Sequence, residues 1–224
     1  MLITIDGPSG SGKTTLAILI AKHLSFFCFS SGYVYRALAY ILKNFYGYDQ
    51  VSMQNLDIQD IKAILQNDNF KYDYQHGLAK VYWIDDITPF LKDIEISKLA
   101  PIVAKNESVR KLVREYERNI IADKDAVIEG RSCGAIVYPY ADLKFYIEAP
   151  VDVRAKRLVS DQLKRGSVIT QQEALAQIKL RDQMDKDREI EPLQIPENAI
   201  MLDSGKNTSE ELLKIVLDKV KKIL

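Results

Sequence analysis

The sequence predicts an α/β fold built on a parallel sheet. Three observations carry that reading. Five short apolar runs, near residues 2–6, 26–30, 125–129, 143–147 and 199–203, are bounded by turn residues. Helical stretches separate most of them, and the first run passes into a glycine-rich turn that opens a helix. Alternating strands and helices cover a parallel sheet on both faces.

The elements follow in order. "LITID" (2–6) is a short β-branched strand, and "TTLAILIAKHL" (14–24) is helical. "FFCFS" (26–30) reads as a second buried strand, and "YVYRALAYILKNFYG" (33–47) as a helix that stops at Gly47. "DNFKYDY" and "LAKVYWI" (68–74 and 78–84) read as a hairpin with "QHG" as its turn. This hairpin breaks the alternation and is expected to be an insertion. Residues 93–122 are mainly helical, with Pro101 expected to interrupt them. "DAVIEG" and "LKFYIEA" are strands. From Val151 to about Arg188 the chain is highly charged and mostly helical, broken at "KRGS" and restarted by a capping box in "TQQE" (170–173). "AIMLDS" (199–204) is the last strand, and residues 208–224 form a capped amphipathic helix.

Length and composition narrow the function classes. The 224 residues, 47% hydrophobic, suffice for one large domain, or one with an insertion. Lys+Arg and Asp+Glu both number 31, which argues against a general nucleic-acid or membrane surface. Cys28 and Cys133 lack metal-ligand spacing and read as reduced thiols of a cytoplasmic protein. No basic leader and no apolar run of membrane-spanning length is present, so neither a signal peptide nor a membrane span is expected.

The chemistry begins at "IDGPSGSGKTT" (5–15). Gly7, Gly12, Lys13 and Thr14 fit G-x-x-x-x-G-K-[ST], between a strand and a helix as the mechanism requires. Glycines let the backbone fold tightly so that several N–H groups of the loop point inward, and the helix adds the positive end of its dipole. Lys13 can reach the β- and γ-phosphates, and the Thr14 hydroxyl can ligate Mg²⁺. Pro8, Ser9, Gly10, Ser11 and Thr15 complete an ATP-binding loop.

Phosphoryl transfer also needs positive charge opposite such a loop. The sequence offers Arg36, Arg110, Arg131, Arg154, Arg157, Arg181 and Arg188. Arg131 follows the strand "DAVIEG" directly, at the carboxyl edge where open α/β sheets bind ligands. Arg36 follows "SSGYVY", also just beyond a strand. Arg181 and Asp185 are four residues apart and share a helix face.

With these segments in view, the chain resembles the cytidylate kinases, which move a phosphoryl group from ATP to CMP or dCMP. "ITIDGPSGSGKTTLA" is similar to the family's phosphate loop, and "SSGYVYRALA" to its Asp-Ser/Thr-Gly-x-x-Tyr-Arg segment. "KVYWIDDITPFLKDIEIS" resembles the inserted acceptor-side domain. "VIEGRSCGAIVYPYADLKFYIEAPVDVRAKR" resembles the Asp-Gly-Arg-Asp-x-Gly turn and its continuation, and "IKLRDQMDKDREIEPLQIPENAIMLDS" the flap helix and Pro-Leu segment.

The resemblance implies a P-loop nucleoside monophosphate kinase fold. Its five-stranded parallel sheet would run in the order 2-3-1-4-5, with an inserted acceptor-binding subdomain and a helical lid. It implies one kinase domain over 1–224: a core of 1–30, 103–150 and 190–224, an acceptor region of 31–102, and a lid of 151–189. Ser31 and Arg36 would hold the acceptor phosphate, with Arg131. Arg110 would contact the base, and Ser132 stands where the family faces the base. Arg181 and Asp185 would contact the ribose, and Arg188 would face the transferring group. Arg154 and Arg157 would lie near ATP. Lys13, Arg131, Arg181 and Arg188 are the catalytic set, Mg²⁺ with ATP is the cofactor, and a monomer binding only small nucleotides is expected.

The sequence departs from the family pattern at Ser30, Tyr33, Pro101, Glu129, Ser132 and Cys133. Most of these lie on the acceptor side. Ser132 replaces a carboxylate that would accept from a cytosine amine, and Pro101 replaces a serine. The open alternatives are a kinase for a different or modified monophosphate, and a nucleotide-binding protein without transfer activity.

Overall fold

The structure, a computed structural model, describes residues 1–223. Strand β1 (Leu2–Asp6) is apolar and β-branched, and its residues from Ile3 to Asp6 are all buried. It is followed by α1 (Lys13–Leu24), β2 (Phe27–Ser30), α2 (Ser31–Phe45) and α3 (Ile58–Leu65). Next come β3 (Phe70–Gln75), β4 (Leu78–Trp83), β5 (Asp85–Asp86), α4 (Ile94–Val103) and α5 (Glu107–Ile121). The chain ends with β6 (Ala126–Gly130), β7 (Leu143–Glu148), α6 (Val151–Leu163), α7 (Gln171–Lys186), β8 (Ile200–Asp203) and α8 (Ser209–Val220).

The main sheet has the order β2-β6-β1-β7-β8. Counted among its own five strands this is 2-3-1-4-5, as expected. Strands β1 and β7 pair in parallel with Ile5 opposite Phe145, and β7 and β8 with Ile147 opposite Leu202. Five strands fall within a residue or so of the sequence expectation, because each is a short buried run closed by a turn.

The chain forms two compact units, one of Met1–Phe26 with Val127–Leu224 and one of Phe27–Ala126. In the first, Ile3, Ile5, Phe145 and Ile147 from β1 and β7 are fully or almost fully buried, as are Leu16 and Ile20 of α1. Val216 and Val220 of α8 are buried as well. Thr170 and Thr208 cap α7 and α8 in complete capping boxes with Glu173 and Glu211.

In the second unit, β3, β4 and β5 form a small antiparallel sheet. Its turn is two residues, not three: Gln75 pairs with Leu78, and His76 and Gly77 both have left-handed φ (53° and 77°). Paired positive φ at the two central positions is the hairpin geometry that matches strand twist. Tyr72 ties this sheet to β2. Its hydroxyl donates to the Cys28 carbonyl at 3.1 Å and accepts from the Ser30 N–H at 3.0 Å, and its ring lies 4.6 Å from Phe29.

Three local expectations are corrected. Pro101 sits inside α4 rather than interrupting it. The missing N–H costs one helical bond near the helix end, while Leu99, Ala100 and Val103 are buried around it. The break comes instead at 104–106, where the Asn106 side chain accepts from Ser108 and Val109 N–H and opens α5. Helix α2 starts at Ser31, two residues early. Helix α3 was not expected: Asp57 caps it through Gln59 N–H at 2.8 Å, and Ile61 and Ile64 are fully buried.

Candidate active site

The loop between β1 and α1 is shaped by close backbone approach. Gly7 has φ 156°, and a Cβ there would lie 2.1 Å from the Ile147 carbonyl oxygen of β7. Gly12 is the N-cap of α1 in left-handed conformation, with no side-chain cap and no acid in the first turn. The first N–H groups of α1 therefore have no side-chain cap, which suits an anion at the helix terminus. Lys13 is buried, and its Nζ donates to the Pro8 carbonyl at 2.9 Å, folded back over the loop.

Thr14 Oγ1 donates to Glu129 Oε1 at 3.0 Å, joining the loop to the end of β6. Two hard oxygen donors at one point fit a small divalent cation of the Mg²⁺ type, which takes one or two protein oxygens and fills its shell with phosphate and water. Among the described residues there is no cluster of three or more His, Cys, Asp or Glu able to hold a metal on its own. That sparse donor set suits a metal delivered with a nucleotide.

Asp6 closes β1 just before the loop. Its carboxylate accepts from the backbone N–H of Cys133 (2.8 Å) and Gly134 (2.7 Å), so it holds the turn that follows Arg131. Burial pushes its pKa up to about 6, against the pull of those two N–H groups and of Lys13 and Arg131.

Beyond that turn the arginines converge. Arg131 Nε donates to Asp185 Oδ2 at 2.6 Å, Arg181 Nε approaches the same oxygen at 3.4 Å, and Arg188 Nη2 lies 3.7 Å from Asp185 Oδ1. The Asp185 side chain is 3% exposed. Its burial alone would raise its pKa, but Arg131 and Arg181 hold it well below the usual carboxylate range. Burial of Arg131 would likewise lower its pKa, but Asp185 more than offsets this and holds it above the ordinary value. Three sequence-predicted arginines thus meet at the carboxylate of a fourth predicted residue.

Arg154 and Arg157 reach the loop from α6, as expected, but through its backbone. Arg154 Nη1 donates to the Ser9 carbonyl at 3.0 Å, its Nε to the Ala149 carbonyl, and its Nη2 lies 2.7 Å from Asp182 of α7. Arg157 donates to Ser204 Oγ (3.1 Å) and to the Ser204 carbonyl (2.6 Å), with Nη1 3.4 Å from the Gly10 carbonyl. Ser204 Oγ in turn donates to the Ser11 carbonyl at 2.7 Å. Asp6, Asp182 and Ser204 were missed in the sequence. The available signal was position: Asp6 and Ser204 each stand at the carboxyl end of a strand, where ligands bind in such sheets.

Ser132 is buried, and its Oγ lies 3.4 Å from the Glu191 carbonyl. In the second unit, Ser31 opens α2. Arg36 Nη1 lies over the first turn, 3.6 Å from the Cβ position of Gly32. Arg110 is buried, donates to the Ala104 carbonyl at 3.2 Å and stacks 5.5 Å from the Tyr35 ring centre. This unit therefore holds Arg36 at a helix start whose N-cap, Ser30, makes no side-chain capping bond.

Comparison with known proteins gives one answer. A family model described as cytidylate kinase matches residues 3–222. The cytidylate kinase of Mycoplasma genitalium is 32% identical over 99% of this chain and 97% of its own length. That of Thermodesulfovibrio yellowstonii is 34% identical over 98% and 97%. A solved protein of Eubacterium ventriosum, 15% identical, superposes with a TM-score of 0.51 over 99% of this chain and 98% of its own, a likeness of fold alone. With a family match spanning nearly every residue and relatives above 30% identity at almost full length, the chain belongs to the cytidylate kinase family.

Proposed function

We propose that the chain transfers the γ-phosphoryl group of ATP to the phosphate of CMP or dCMP, giving ADP and the cytidine diphosphate. The observation that carries this reading is the pairing, within one unit, of an uncapped phosphate loop with three arginines gathered on Asp185. One half is suited to cradling a triphosphate, and the other to meeting charge that spreads over a transferring group.

In this reading the loop of residues 7–15 holds the ATP phosphates through the backbone N–H groups of its residues other than Pro8, and Lys13 leaves the Pro8 carbonyl to reach the β- and γ-oxygens. Thr14 and Glu129 would hold Mg²⁺, which when bound supplies charge neutralisation at the phosphates. Ser31, Arg36 and Arg131 grip the acceptor phosphate, Arg110 and Ser132 take the base side, and Arg181 and Asp185 the ribose. Arg188 faces the transferring group. No strong base is required, because the acceptor oxygen is already anionic, and positioning with charge stabilisation does the rest. Residues 151–189 act as a lid over the donor side, in a kinase domain that works as a cytoplasmic monomer.

The test is ADP release from ATP and Mg²⁺ against CMP, dCMP, UMP, AMP, cytidine and small hydroxy acids. Turnover led by CMP or dCMP is expected. Turnover led by a nucleoside or a hydroxy acid would reject the reading, as would none with any monophosphate.

A further inference from the structure

Helix α7 turns one face toward the phosphate loop. Ile178, Asp182 and Asp185 follow one another along it at spacings of four and three residues; Ile178 and Asp185 are buried and Asp182 is largely so. A Cβ added at Gly10 would lie 3.2 Å from Arg154 Cβ and 3.5 Å from Ile178 Cδ1, so the loop packs directly on α6 and α7.

Arg154 joins these three pieces. Its Nε donates to the Ala149 carbonyl and its Nη1 to the Ser9 carbonyl, both at 3.0 Å. Asp182 grips the other edge of the guanidinium: Oδ1 accepts from Nη1 at 3.0 Å and Oδ2 lies 2.7 Å from Nη2. Two oxygens on two nitrogens fix the plane of the group, and its bonds to the two carbonyls follow from that plane. The Ser9–Gly10 peptide is trans, so with its oxygen on Arg154 the Gly10 N–H points away from the guanidinium. All three guanidinium nitrogens thus have protein partners, and the side chain acts on the loop backbone.

We propose that Asp182 is a positioning residue for ATP. It holds Arg154 in the plane that fixes the Ser9–Gly10 peptide, and with it the direction of a loop N–H needed by the donor phosphates. The role rests on the reading of residues 7–15 as the ATP loop. It is confined to the donor, because Asp185, further along the same helix, holds Arg131 instead.

The experiment measures Kd by calorimetry for a non-hydrolysable ATP analogue with Mg²⁺, and separately for CMP, in the wild type, D182N, R154K and R154K/D182N, with Tm recorded for each. D182N keeps the shape and removes the charge and one of the two acceptor oxygens. R154K keeps a charge for Asp182 but loses the planar fork that also reaches Ser9 and Ala149. Each single variant should bind the analogue about tenfold more weakly, the order of one hydrogen bond to a charged group, with the Kd for CMP within a factor of two of the wild type. The double variant should be no weaker than the weaker single one, since both act through one contact. An analogue Kd within a factor of two of the wild type in either single variant overturns the proposal, and R154K decides alone if D182N does not fold. Equal weakening of the analogue and of CMP also overturns it, because α7 as a whole has then loosened. Multiplying effects in the double variant overturn it as well, since the two residues then act separately. Binding stands apart from transfer: variants that behave as expected in a protein that moves no phosphoryl group to CMP reject the kinase reading and support this one, whereas a wild type that binds no analogue overturns both.

Discussion

Arg131 Nε donates to Asp185 Oδ2 at 2.6 Å, so the residue that leaves β6 and the last turn of α7 are joined by one buried ion pair. Arg181 and Arg188 use the same carboxylate. The cations suited to a transferring phosphoryl group are thus kept in place by an acid that substitutes for phosphate charge.

Replacing Asp185 with Asn should therefore leave buried guanidinium groups without a counter-charge. Loss of one partner from a buried pair costs about 3 kcal/mol or more. The folded carboxyl lies below its ordinary 3.8, so its stabilisation is present above that value and fades as the pH falls below it. Urea unfolding should show a gap between wild type and D185N at neutral pH that narrows below pH 3.8. Inorganic phosphate should raise the Tm of D185N more than that of the wild type. A gap that persists unchanged in acid would mean that Asp185 acts by packing alone.

Lys13→Ala should lower kcat about 100-fold or more, the scale of deleting one preorganised donor. The lysine is buried, so some packing goes with it, but the loop is held by Ser204, Arg154 and Arg157 through its carbonyls. A Tm within about 4 °C of the wild type is expected. Turnover unchanged at saturating ATP would show that this loop is not the donor site.

Thr14 and Glu129 should behave as one unit. Thr14→Val and Glu129→Gln each should raise the Mg²⁺ concentration for half-maximal rate about tenfold, the order of one hydrogen bond to a charged group. The double variant should be little worse than either single one. Multiplying effects would show that the 3.0 Å contact carries no shared function.

Asp6 gives the opposite pH signature to Asp185. Its pKa rises from 3.8 unfolded to about 6 folded, so between these values the folded state holds a proton that the unfolded state has lost. Wild-type stability relative to D6N should then increase as the pH falls from about 6 to about 4, by about 2 kcal/mol. Denaturant titrations of both proteins across that range measure it. A relative stability that is flat, or that falls, contradicts the burial account of this residue.

What could be read in the sequence was what the chain encodes locally. The five sheet strands, the Thr170 and Thr208 caps and the loop from Gly7 to Thr15 are each specified within about ten residues. Pro101 misled because a proline's cost is fixed but its neighbours' burial is not visible in one dimension. The links that assemble the site are long-range: Asp6 reaches Cys133 across 127 positions, and Ser204 reaches Ser11 across 193. No periodicity records such contacts. The left-handed backbone of Glu191, φ 51°, was invisible for a further reason, because such a conformation at a non-glycine residue follows from tertiary anchoring rather than from propensity.

The most direct test of the central claim follows the phosphoryl group itself. ATP labelled at the γ-phosphate is incubated with CMP and Mg²⁺, and the labelled product is identified by chromatography. The account predicts label in CDP, in step with ADP formation, and loss of that label in K13A. Label appearing only in inorganic phosphate, or on the hydroxyl of added deoxycytidine rather than on CMP, would contradict it.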